Sequence, residues 1–303
     1  MLVAVDIGNT NIVLGFLDGD AIAGTYRITT KANHTSDEYG LFLTEFLRMS
    51  GFQPSDVDDV IICSVVPKVM HSFRSSIVKF LDIDPMVVGP GIKTGMNVRV
   101  DDPKSLGADI LADCAGAYYE YGGPVLVADF GTATTFNVVD ENKVFRGGVI
   151  CPGLSTGLRA LGERCAQLPQ VHLSSPKSAI GVDTEKCMLS GSVLGTAVLL
   201  DGITQRIEEE LGRPATLVVT GGLAKYVIPL CRHPLIYDPE LLLKGLALLY
   251  QLNAPQHERH YEPRSDGERR RPRPTGRRPY NNGSSPRRRN NRRPRRDDEA
   301  KAG

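Results

Sequence analysis

Apolar positions along this chain change period several times. Residues 2–5, 11–17 and 22–28 are short apolar or alternating runs, and Asp18-Gly19-Asp20 has the composition of a hairpin turn, so three successive strands are predicted. Over 37–50 (DEYGLFLTEFLRMS) the spacing becomes helical, with Ser36 as the expected N-cap and Gly51 as the stop. VIICSVV at 60–66 is continuous and β-branched and predicts a buried strand. A helix to about residue 81, a strand at MVVG and a helix over 105–121, starting near Ser105 or Gly107, are expected next. From 124, VLVADFGTATTFNVVDENK reads as strand, glycine turn, strand and polar turn. A helix over 185–212, a buried strand TLVVT at 216–220 and a last helix over 239–252 complete the pattern. Strands alternating with helices predict an α/β architecture.

The pattern ends at Pro255. Segments such as ERRRPRPTGRR and SSPRRRNNRRPRR hold almost no aliphatic side chains and cannot bury enough apolar surface to offset ordering entropy, so residues 255–303 are expected to be a disordered Arg-rich tail. Charge divides at the same place. The whole chain has 36 Lys+Arg and 35 Asp+Glu; the tail holds 16 and 7 of them, which leaves 20 and 28 for residues 1–254. A net +1 therefore conceals a body at −8 and a tail at +9. The six cysteines are irregularly spaced without a C-x-x-C pair, which argues against a structural zinc site or a disulfide framework. There is no signal-peptide pattern after Met1 and no evident apolar run of membrane-spanning length, so a cytoplasmic protein with no membrane partner is expected.

The strongest chemical signal is a repeat. With Asp6 set on Asp129, LVAVDIGNTNIVLGF lies over VLVADFGTATTFNVV at a constant offset of 123. Each copy is an apolar strand, Asp, an apolar residue, Gly, small polar residues and a second strand. A tight glycine turn after a strand lets backbone N–H groups approach phosphate oxygens, and hydroxyls and amides such as Asn9, Thr10, Thr132 and Thr134 add donors. A carboxylate can hold a metal ion that neutralises the phosphate. One copy could be no more than a hairpin whose turn requires Asp and Gly; two with matched strands read as jaws around a nucleotide triphosphate. LVVTGGLA at 217–224, a buried strand ending in Gly221-Gly222, would allow a flat adenosine group to approach.

These elements, in this order, resemble the superfamily of sugar and acetate kinases, heat-shock ATPases and actin. DIGNTN at 6–11, DDPKSLGAD at 101–109, DFGTATTF at 129–136, GGVICPGL at 147–154, LPQV at 168–171, PKSAIG at 176–181 and Thr184 with Ser190-Gly191 resemble the type III pantothenate kinases, nearly continuously over residues 1–252. The resemblance implies two duplicated actin-like (ribonuclease H-like) domains with a nucleotide cleft between them, at 1–117 and 118–254, followed by the tail. It implies ATP-dependent phosphorylation of pantothenate to 4'-phosphopantothenate, the first step of coenzyme A synthesis, with a divalent cation such as magnesium, a monovalent cation (potassium or ammonium) and a homodimer with the pantothenate pocket near its interface. By position, Asp6, Ile7, Gly8, Asn9, Thr10, Asn11, Ile12, Val13 and Thr132 are implied to bind ATP, Asp109 to be the catalytic base, and Asp129 to hold potassium. Val100, Gly107, Ala108, Asp109, Ile110 and Thr184 are implied to meet the substrate. From the residues alone, Asp109 could equally be a helix-start carboxylate stabilised by the dipole.

Two positions depart from the family pattern. The family usually reads G-A-D-R where Ile110 follows Asp109 here, and often has Tyr where Val100 stands. Ile110 offers no donor or charge to a polar substrate. Backbone amides or another residue could substitute, or activity or substrate could be altered. A non-catalytic regulatory or transcriptional accessory role is the alternative. A third reading is contact with RNA or another polyanion through residues 255–303, where arginines and Tyr261 and Tyr280 would meet mainly phosphates.

Overall fold

A computed structural model of the chain describes residues 1–19 and 21–257. Asp20 of the expected hairpin turn, and all but the first three residues of the expected tail, lie outside the described residues. The first sheet is built from β1 (Leu2–Ile7), β2 (Asn11–Asp18), β3 (Ala21–Thr29), β4 (Asp59–Ser64) and β5 (Met86–Val87), in the order β3-β2-β1-β4-β5. Between its strands run α1 (Ser36–Met49) and α2 (Pro67–Leu81). The cap of α1 is Thr35, one residue before the expected Ser36: its hydroxyl accepts from the Glu38 N–H, and the Glu38 carboxylate accepts from the Thr35 N–H. That reciprocal pair requires Glu three residues after the cap, a spacing that Thr35 satisfies and Ser36 does not.

After β6 (Asn97–Val98) and α3 (Ala108–Tyr121), the second sheet forms from β7 (Val125–Phe130), β8 (Ala133–Val139) and β9 (Val144–Pro152), and continues beyond α4 (Leu154–Arg164), α5 (Thr184–Leu189), a π-helical turn at Ser190–Leu194 and α6 (Gly195–Leu211). There β10 (Thr216–Thr220), α7 (Ala224–Val227), β11 (Ile236–Tyr237) and α8 (Leu241–His257) complete it. Its order is β11-β10-β7-β8-β9-β6. Omitting β6, this repeats the first sheet strand for strand, three antiparallel strands beside parallel ones, as the resemblance implied.

Strand alternation sorts the core into layers. Val3, Val5 and Ile7 of β1 pack with Leu43 and Leu47 of α1 and Phe73 and Ile77 of α2. Ala4 faces the other way, onto Ala112 and Ala115 of α3 and Leu243, Leu246 and Leu249 of α8. Leu126, Ala128 and Phe130 of β7 pack under α4, α6 and α7, while Val125 and Val127 meet Cys114 and Ala117 of α3 and Leu241 of α8. Helices α3 and α8 therefore form a shared middle layer between the two sheets. They cross closely at Gly245, where a Cβ would collide with the Ala112 carbonyl. The halves also exchange elements: β6 extends the second sheet and α8 covers the first.

Two further sequence expectations change. The offset of 123 holds for β1 on β7 and β3 on β9, but Asp6 pairs with Val13 whereas Asp129 pairs with Thr135, so the second strands align at 122. The second turn is one residue shorter. The helical stretch Thr184–Leu211, 28 residues, is long and apolar enough to cross a membrane by length and composition, contrary to the expectation that no run reaches that length. Val193, Ala197 and Leu200 in it are instead fully buried against the second sheet.

Candidate active site

The same alternation that packs the core aims the carboxylates. Asp6 lies on the Leu2–Ala4 face of β1 and Asp129 on the Val125–Val127 face of β7, so both point from strand ends toward the middle layer. There α3 presents Asp109 in its first turn and Asp113 one turn later. The two turns meet across the cleft: Thr10 Oγ1 and Thr132 Oγ1 are 2.9 Å apart and hydrogen-bonded, although 122 residues separate them. The first turn is closed by the Gly8 N–H donating to the Asn11 carbonyl at 3.0 Å and by Thr30 Oγ1 donating to the Gly8 carbonyl at 2.6 Å. The second is closed by the Gly131 N–H donating to the Ala133 carbonyl at 3.0 Å. Thr156 in the first turn of α4 donates to the Thr132 carbonyl at 2.8 Å, so α4 begins against the second turn. Gly221, at φ +94°, lies beside Asp129 where a Cβ would clash, so β10 delivers the Gly-Gly turn directly onto that carboxylate.

Burial and concentrated negative charge together raise three of the site's carboxyls. Burial, then Asp109 and Asp129, push the Asp6 carboxyl up to about 7. Burial and Asp109 push Asp129 to about 7. Asp113 is only 5% exposed, and its Oδ1 has no hydrogen-bond partner; burial and then Asp129 raise it well above the carboxylate range. Such uncompensated carboxylates fit a cation, since a bound positive charge offsets both burial and mutual repulsion. Among the described residues no group of three or more His, Cys, Asp or Glu side chains forms a metal site by itself. Magnesium is commonly held by one or two carboxylates together with substrate phosphates and waters.

Positions 6–13 and Thr132, implied by the resemblance to bind ATP, are brought together by the Thr10–Thr132 hydrogen bond, with a distinction among them. Ile7 and Ile12 are fully buried in the α1–α2 core, so only their backbones face the turn, whereas Asn9 and Thr10 are exposed. Among the positions implied to meet the substrate, Gly107 caps α3, and Asp109 Oδ1 accepts from the Ile110 N–H at 2.8 Å. Val100 and Ile110 pack with Val98, Leu106, Tyr118 and Tyr121 against the Phe145 core, so both apolar departures join one apolar cluster. A cavity of about 720 Å³ beside it is lined by Leu106, Ala108, Met96 and Leu252, with Lys93 and Lys104 as its cations. Thr184 opens α5, whose Met188 and Leu189 pack on Leu158 of α4. Among the described residues it has no hydrogen bond to the carboxylate group. Sequence reasoning did not single out Asp113, Thr156 or Arg27. A carboxylate four residues after Asp109 was the available signal for Asp113. All six cysteines are free thiols.

Residues 2–206 match the family model described as type III pantothenate kinase. A type III pantothenate kinase of Bifidobacterium longum (strain DJO10A) is 68% identical over 257 residues, covering 84% of this chain and 99% of that protein. One from Listeria monocytogenes serotype 4a (strain HCC23) is 40% identical over 259 residues, covering 86% and 100%. Among solved structures, a protein of Sinorhizobium meliloti provisionally assigned as a 2-dehydro-3-deoxygalactonokinase superposes with a TM-score of 0.55 at 12% identity, over 83% of this chain and 98% of that one. A Campylobacter jejuni protein provisionally assigned to the Baf family of transcriptional activators gives 0.51 at 17%, over 84% and 99%. These two likenesses speak for the fold alone.

Proposed function

The chain belongs to the type III pantothenate kinases, enzymes that phosphorylate pantothenate with ATP at the entry to coenzyme A synthesis, and we propose how its own residues carry that reaction. The observation that carries the assignment of roles is the Thr10–Thr132 contact, which joins the two glycine turns that follow Asp6 and Asp129. Backbone N–H groups of residues 8–11 and 131–132, with the Thr10 and Thr132 hydroxyls, bind the polyphosphate, and the Gly221-Gly222 turn receives the adenosine. Asp6 holds the divalent cation, which neutralises phosphate charge when bound. Asp129 holds a monovalent cation, potassium or ammonium.

Asp109 is the base. The Ile110 N–H donates to its carboxylate and orients it, and the positive end of the α3 dipole lies beside it. The pantothenate hydroxyl oxygen bonds to the γ-phosphorus as the bond from that phosphorus to the β–γ bridging oxygen breaks. ADP leaves, and the hydroxyl proton passes late to Asp109. Gly107, Ala108, Val100 and Ile110 frame the substrate, and the lysines of the adjoining cavity, Lys104 above all, supply the positive charge for its carboxylate that Ile110 does not.

A homodimer is part of the proposal. Ile180 and Val182, 80% and 83% exposed, lie just before Thr184 and offer an apolar face for a second copy. Residues 1–117 and 118–254 each contain one repeat and are proposed as its domains. The enzyme acts in the cytoplasm, and residues 255–303 contact RNA or another polyanion. The test is turnover by the purified chain with ATP, magnesium and potassium, with and without pantothenate, beside Asp109→Asn. A loss of roughly a hundred-fold or more is expected of a missing general base, with ATP binding retained. Variant turnover within a few-fold of the parent removes Asp109 from the mechanism. ATP binding without pantothenate-dependent turnover would favour the accessory-protein reading.

A further inference from the structure

The first sheet carries a cation in register with the nucleotide turn. Asp6 pairs with Val13 on β2, and Val13 pairs with Arg27 on β3. Directly paired residues project from the same face of a sheet, so Asp6, Val13 and Arg27 form one row across three strands, facing the middle layer and the cleft. Two strand spacings, roughly 10 Å, separate the ends of the row, about the span of a polyphosphate. At the far side of the cleft, Arg27 Nη1 lies 3.7 Å from where a Cβ on Gly222 would stand. The side chain thus leaves the first sheet and ends over the Gly-Gly turn of the second.

A further observation indicates what the guanidinium meets. Among the described residues it makes no hydrogen bond or ion pair, although it is long, charged and directed at another element. A site holding Asp6, Asp109, Asp113 and Asp129 repels a triphosphate unless positive charge stands beside it, and a planar guanidinium binds phosphate oxygens in a bidentate fork. In the second sheet the corresponding row is Thr220, Asp129, Thr135 and Ile150, with an aliphatic side chain at Arg27's place. The repeat has therefore kept a cation on one jaw only.

We propose that Arg27 is a catalytic residue that binds the ATP polyphosphate across the cleft and neutralises charge on the phosphoryl group in transfer. This rests on the nucleotide reading of the two turns. The test is calorimetric titration of the full chain and its Arg27→Ala and Arg27→Lys variants with ATP, ADP and adenosine in magnesium, beside steady-state turnover and thermal melting. The alanine variant is expected to bind ATP and ADP about ten-fold or more weakly, adenosine unchanged, with kcat lowered and the pantothenate KM preserved. Lysine should recover part of the binding but less of kcat, because a point charge lacks the fork. Added guanidinium should restore turnover to the alanine variant. An unchanged ATP affinity, or equal losses for adenosine and ATP, overturns the proposal for Arg27 alone. If alanine melts early, the folded lysine variant decides: parental kcat in it also overturns the role. Failure of the parent chain to bind ATP overturns the nucleotide reading itself.

Discussion

Replacing Asp6 with asparagine should stabilise the nucleotide-free protein in mildly alkaline buffer while removing most of its activity. Burial and two neighbouring carboxylates push Asp6 from 3.8 up to about 7 in the folded chain. A folded value above the unfolded one means that the native state holds the proton more tightly. The stabilising contribution is complete below about pH 4 and is lost as pH rises through about 7. At ~1.36 kcal/mol per unit, the three-unit difference costs up to about 4 kcal/mol near pH 8 and only about 1.5 kcal/mol near pH 5. Asparagine has nearly the same shape and no charge, so its gain should be more than twice as large at the higher pH. With ~2–4 °C per kcal/mol for a body of this size, the melting point should rise by several degrees, at most roughly 16 °C. Thermal unfolding of both proteins in chelator, across a pH series, measures this. Magnesium with ATP should then reverse the ranking, because ligand stabilises only the chain that binds it well. A gain that does not grow with pH, or a less stable variant at pH 8, would refute the account of Asp6 as a carboxylate disfavoured by its surroundings.

Asp129 leads to a cation test: turnover should be faster in potassium or ammonium than in sodium, and Asp129→Ala should lose that response with most activity; equal rates in sodium and potassium would contradict it. Ile110→Arg should lower the pantothenate KM about ten-fold with little change for ATP. It should also lower the melting temperature, because Ile110 packs on the Phe145 cluster, and an unchanged KM would show that the lysine-lined cavity already serves the carboxylate. A chain ending at His257 should melt and turn over like the full protein while losing salt-sensitive polyanion binding, since the deleted residues contain no Leu, Ile or Val and remove about +9 of charge from a body near −8. The end point keeps Asn253, whose amide binds both the N–H and the carbonyl of Lys93 and ties α8 to the 89–96 loop. Loss of stability or turnover on truncation would show the tail to be part of the enzyme body.

Local signals in the sequence determined much of this protein. Short, nearly continuous apolar runs marked β1, β4, β7 and β10, because a strand covered on both faces must be apolar whatever it packs against. The D-x-G turns could be read twice over, since a tight turn at the end of a strand constrains its own few residues. The same locality limited the reading. The two-residue strands β6 and β11 are too short for a period, and β6 pairs with a sheet that is otherwise built from later residues. Thr35 rather than Ser36 caps α1 because Glu38 reaches back to it, a choice between neighbouring hydroxyls made by hydrogen-bond geometry. Only the tertiary structure decided that Asp113 would be buried without a partner for Oδ1, that α3 and α8 would separate the two sheets, and that the second turn would be one residue shorter. It alone placed Arg27 in the row of Asp6. Strand register over 21 residues, and the approach of Gly222 from nearly 200 residues away, are set by how whole sheets pack, and no short window of sequence carries that information.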